Sequence, residues 1–93
     1  MIEKNTYYKE LGRKDENDAQ IRKLFRQLLS HPKDKKIATE LSAVLNNQSA
    51  LAISDGRKEE SRELVDQAMD VSSRILGKEH PEYAKGLSNL GAI

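Results

Sequence analysis

The chain has no cysteine, so it can form no disulfide scaffold, thiolate metal site or thiol nucleophile. It also has no tryptophan, one phenylalanine and three tyrosines, which leaves few large rings to fill a core. Long apolar runs are missing. Nothing approaches the roughly 18 residues of a membrane span. No apolar stretch follows Met1-Ile2-Glu3-Lys4, as an export signal would require. These absences lead us to expect a soluble, cytoplasmic protein. Nor is charge of one sign in excess. Sixteen Lys and Arg face 15 Asp and Glu, a net charge of +1. A dedicated nucleic-acid binder would instead concentrate cations on one face. Alternating Val/Ile/Thr runs, the signature of strands, are absent as well.

What remains is a helical pattern. In 93 residues, 37% are apolar and 33% charged, so a core can form only if the apolar residues lie on narrow stripes. Two prolines, Pro32 and Pro81, each follow a histidine and suit the first turn of a new helix, where a missing N–H does no harm. Gly12, Gly56 and Gly77 each follow a periodic apolar stretch and suit the residue that ends a helix. These marks predict helical segments at 4–11, 16–30, 34–54, 57–76 and 81–93. Segment 16–30 places Ala19/Ile21, Leu24, Phe25, Leu28 and Leu29 on one side, and segment 34–54 aligns Ile37, Leu41, Val44/Leu45, Gln48 and Leu51/Ala52. Glu59 and Glu60 fall in the first turn of the fourth segment, where they favour its dipole. The short connections require antiparallel neighbours.

The chain also echoes itself. A shift of 42 residues lays Leu45-Asn46-Asn47-Gln48-Ser49-Ala50 on Leu87-Ser88-Asn89-Leu90-Gly91-Ala92. Weaker echoes pair Gly12-Arg13-Lys14 with Gly56-Arg57-Lys58 and His31-Pro32 with His80-Pro81, at unequal offsets. A two-helix period of this length predicts an α-solenoid rather than a closed bundle, with an irregular first unit.

Leu45-Asn46-Asn47, Gly56, Glu60, Ala68-Met69, Leu76-Gly77, His80-Pro81, Ala84, Leu87, Asn89 and Leu90 occur in an ordered, ungapped set. In this set residues 45–93 resemble the tetratricopeptide repeats of the kinesin light chain and nephrocystin type. The resemblance implies an all-α fold of antiparallel helix-turn-helix pairs stacked as a short right-handed solenoid. On this reading 1–93 is a single helical domain. It has irregular N-terminal helices over 1–33, a repeat-like unit over 34–76, and the first helix of an incomplete unit over 77–93. Three positions depart from the family pattern. Gln48 stands where the family has a core Leu, Ser61 where it has Ala, and Val65 where it has an aromatic. The half-repeat at 77–93 leaves Leu90 and Ile93 uncovered. We therefore expect a segment of a longer protein, ahead of a second chain covering that end.

The resemblance also implies a role. The first helix of each pair lines a concave groove, where Asn47 and Asn89 would hydrogen-bond the backbone of a bound peptide through amide donor and carbonyl acceptor. Asn46, Lys85 and Ser88 fall on or near the same surface. The bland alternative is that these asparagines bridge adjacent helices or face solvent. The expected function is a non-enzymatic protein–protein interaction module, a scaffold or adaptor that takes a peptide or helix in that groove. The alternative is a structural homo-oligomerisation unit that pairs through the half-repeat. Other chemistry has little support. His31 and His80 are the only histidines, neither has a helical partner at zinc-ligand spacing, and the His-Pro pairs read as helix starts. Neither a nucleophile elbow nor a phosphate loop occurs, so no catalysis and no cofactor are expected. Lys33-Asp34-Lys35-Lys36 and Arg22-Lys23…Arg26 read as solvated helix faces, or as a landing place for an acidic partner peptide. Tyr7-Tyr8 is expected to pack onto the Leu24–Leu28 stripe.

Overall fold

The computed structural model describes residues 2–93, with side chains from residue 16 onward. The described residues form α1 (Ile2–Ser30), α2 (Lys35–Ser54), α3 (Lys58–Val71), a π-helical turn (Ser72–Leu76) and α4 (Pro81–Ala92). No strand occurs among them, and the all-α expectation holds. The molecule measures 46 × 29 × 18 Å. At about 1.5 Å per residue, α1 alone spans most of the long axis.

Two boundary expectations need correction. The helices foreseen at 4–11 and 16–30 are one continuous helix, which runs through Gly12. A helical glycine costs only about 1 kcal/mol relative to alanine. Here it is flanked by the strong helix formers Glu10, Leu11, Arg13 and Lys14, and no proline interrupts. The foreseen packing of Tyr7-Tyr8 lies outside the residues whose side chains are described. Pro32, in turn, opens no helix. It sits in the turn 31–34, and α2 starts three residues later behind the N-cap Asp34. Asp34 Oδ1 accepts hydrogen bonds from the Lys36 and Ile37 N–H groups at 2.9 and 3.1 Å. Two otherwise orphaned donors are thereby satisfied, which a helix begun at Pro32 would forgo.

The other punctuation acts as expected. Pro81 opens α4 behind the N-cap His80, whose Nδ1 accepts the Glu82 N–H at 3.1 Å. Gly56 and Gly77 take φ of 77° and 94°, conformations that cost other residues strain. After Gly56 the Arg57 N–H returns to the Ala52 carbonyl at 2.8 Å. Gly77 N–H reaches back five residues to Ser72 at 2.8 Å, closing the π-helical turn.

Helix α2 is the hub, packed against α1, α3 and α4, while α3 also packs against α4. Leu24, Ala38, Leu41, Leu45, Ala68 and Val71 form the buried core, with Ile21, Phe25, Ile37 and Leu64 among the half-buried residues around it. Large side chains are few, and close approach compensates for them. Between α2 and the segment formed by α3 and the π-helical turn, the buried residues Ser42, Ser49, Ser61 and Ser72 admit the neighbouring backbone. Their hydroxyls are satisfied. Ser49 Oγ and Ser61 Oγ lie 2.9 Å apart, and Ser61 donates to the Ser49 carbonyl at 3.0 Å. Ser72 Oγ lies 3.0 Å from Ser42 Oγ and donates to the Ala68 carbonyl at 2.7 Å. Val65 is wholly buried and Gln48 largely so.

Candidate interaction surface

Of the five residues singled out in the sequence, Asn46 and Asn89 form hydrogen bonds across the seam between α2 and α4, Lys85 pairs with Glu82 beside it, and Asn47 and Ser88 are exposed. Asn46 is 2% exposed. Its Nδ2 donates to the Glu82 carbonyl at 3.0 Å and to Glu82 Oε2 at 3.2 Å. Asn46 is therefore corrected from a surface contact to a bond between helices. The reason is the closeness of α4, whose glycine at 86 leaves room for its neighbours. A Cβ there would stand 2.7 Å from Met69 Cγ and 3.6 Å from Asn46 Oδ1. The same crowding leaves Asn46 Oδ1 sealed from solvent without a hydrogen-bond partner.

Asn89 follows Asn46 part of the way. It is half-buried, and its Nδ2 donates to the Asn46 carbonyl at 3.0 Å, adding a second link from α4 to α2. Asn47, 42 positions earlier, is exposed. Lys85 and Ser88 are exposed as well. Lys85 Nζ pairs with Glu82 Oε1 at 3.0 Å, so the two carboxylate oxygens of Glu82 divide between a buried amide and a surface ammonium. This leaves Asn47, Ser88 and Lys85 facing solvent, with the Asn89 carboxamide at the seam. The set can offer amide and hydroxyl donors and acceptors to an extended backbone.

Glu82 is the residue that sequence reasoning missed. It is 7% exposed and joins Asn46 to Lys85, yet it lies 36 positions from Asn46, where no local pattern could connect the two. The glycine at 86, inside an apolar-periodic helix, was the available hint of a close approach. Among the described residues, no group of three or more His, Cys, Asp or Glu is placed to hold a metal ion. His80 is engaged as a helix cap. No helix among the described residues is long and apolar enough to cross a membrane.

Compared with protein-family models, curated proteins and solved structures, the chain matches none of them.

Proposed function

We propose that the chain is a non-enzymatic protein–protein interaction module, a tetratricopeptide-like scaffold or adaptor unit that takes a peptide or helix along the α2–α4 face. The observation that carries this reading is the seam itself. Helices α2 and α4, related by the 42-residue shift, lie side by side and are tied through Asn46, Glu82 and Asn89. Successive first helices of a solenoid stand in this relation. Asn46 drops out of the contact set because its amide is engaged inside. Asn47, Lys85 and Ser88 carry the recognition, with Asn89 contributing what its seam bond leaves free. An extended peptide would find the Asn47 carboxamide as donor and acceptor, Ser88 as a second polar contact and Lys85 for an acidic flank. The test is selection of displayed random peptides on the immobilised chain, followed by titration of those recovered. Asn47→Ala with Ser88→Ala should weaken their binding about tenfold and leave the unfolding midpoint in place. Unchanged affinity would exclude this face.

One observation favours a second reading, self-association through α4. Leu87 and Leu90 are 48% and 38% exposed, whereas the residues 42 positions earlier, Leu45 and Gln48, are covered. Light scattering over a concentration series decides it, because a monomer at every concentration removes the dimer.

A further inference from the structure

A groove of about 650 Å³ runs between the C-terminal end of α1 and the π-helical turn. Its floor is apolar, formed by Phe25 and Leu28 from α1 and by Val71 and Ile75 from the end of α3 and the turn. Leu29 stands on its rim at 81% exposure, the most exposed large apolar side chain described. The rim is also cationic. Lys33, Lys35 and Arg74 border the opening, against a single carboxylate, Asp70. That carboxylate is engaged by Arg74 at 2.9 Å. The nearby Asp34 has its Oδ1 turned to the α2 amides. An apolar trough within a ring of excess positive charge sits on a chain whose overall charge is almost balanced.

We infer that this groove is a docking site for an acidic amphipathic peptide of a partner protein, distinct from the α2–α4 face. Its apolar side chains would fill the trough and cover Leu29, and its Asp or Glu residues would face Lys33, Lys35 and Arg74. The volume falls within the roughly 300–1,000 Å³ of sites that bury a drug-sized ligand. Charge complementarity selects the occupant. A neutral apolar segment would leave Lys33 and Lys35 unanswered, and a basic one would be repelled. The π-helical turn belongs to the site because it carries Ile75 to the floor and Arg74 to the rim. Such turns interrupt helices frequently at functional positions.

The test uses the whole chain and a fluorescent library of short helical peptides, each with Leu or Phe at i and i+3 or i+4 and flanking glutamates. A matched library carries lysines instead. Acidic members should saturate, with affinity that falls as salt rises. Lys33→Glu with Lys35→Glu should reduce it about tenfold or more, and Leu29→Ser about fivefold. All three positions are exposed, so the unfolding midpoint should stay in place. Asn47→Ala with Ser88→Ala should leave this binding intact, which separates its failure from failure of the α2–α4 reading. The proposal is overturned if no acidic peptide saturates, if the lysine library binds equally, or if amide shifts on binding map to α4 rather than to residues 25–35 and 70–75. A dimer that dissociates on Leu29→Ser would put a second copy in the groove and would also overturn it.

Discussion

Helices α2 and α4 share three of six residues over 45–50 and 87–92, yet have very different surroundings. At positions 42 residues apart, Leu45 is fully buried and Leu87 is 48% exposed. Asn46 is bonded inside the fold, whereas Ser88 faces solvent. Ser49 exchanges hydrogen bonds with Ser61, while its counterpart at 91 is a glycine with open space around it. The difference follows from neighbours. Three helices surround α2, whereas α3, the π-helical turn and α2 itself touch α4 from one side. A helical stripe thus has the same pattern whether or not anything lies against it, and its energetic value depends on what does.

That contrast can be broken most sharply at the leucines. Leu45→Ala should cost about 3 kcal/mol in urea-induced unfolding, from lost burial plus the cavity left behind. Leu87→Ala should cost less than about 1 kcal/mol, because half of that side chain already meets water. Equal losses would mean that α4 is covered in solution, and they would support self-association.

A smaller effect is expected one position along. Asn46→Ala removes the donor that serves both the carbonyl and the carboxylate of Glu82, a loss of about 1–2 kcal/mol. The orphaned Oδ1 disappears in the same substitution and offsets part of that loss. Ser88→Ala should stay within about 0.5 kcal/mol. If Asn46→Ala proved neutral, the seam would not depend on this bond.

The two glycines of α4 sharpen the comparison at the finest scale. Gly91→Ala meets nothing within 4 Å and should stabilise by about 0.5 kcal/mol through a less flexible unfolded chain. Gly86→Ala has the same propensity gain but places a methyl 2.7 Å from Met69 Cγ. It should therefore lose stability, and much of that loss should vanish in a Met69→Ala background, where the obstructing atom is gone. Additive effects of the two substitutions would argue against the close approach.

Most helix ends were readable because the chemistry that stops or starts a helix is local. Gly56, Gly77 and His80-Pro81 each act within a few residues, and all behaved as their types suggest. The misreadings at Gly12 and Pro32 have local causes too. Glycine was given more breaking power than its roughly 1 kcal/mol allows, and Asp34 outcompeted the proline as a start. The candidate surface was less legible. Asn46 and Asn47 are adjacent asparagines, and nothing short-range tells which one turns inward. Helical geometry separates them by about 100°, and the position of α4 then decides.

The sequence by itself determined that this protein is helical, where most of its helices begin and end, and which apolar stripes they carry. These are consequences of caps, glycine conformations and the 3.6-residue period, all set by near neighbours along the chain. Only the tertiary structure decided that Asn46 is a bond rather than a contact, that Glu82 is buried, and that Leu45 and Leu87 differ in exposure. It alone brought Lys33, Lys35 and Arg74 to the rim of one groove, since those residues meet only after α1, α2 and α3 have packed. Burial and long-range pairing depend on which helices lie against one another, and a one-dimensional pattern records only that a face is ready to be covered.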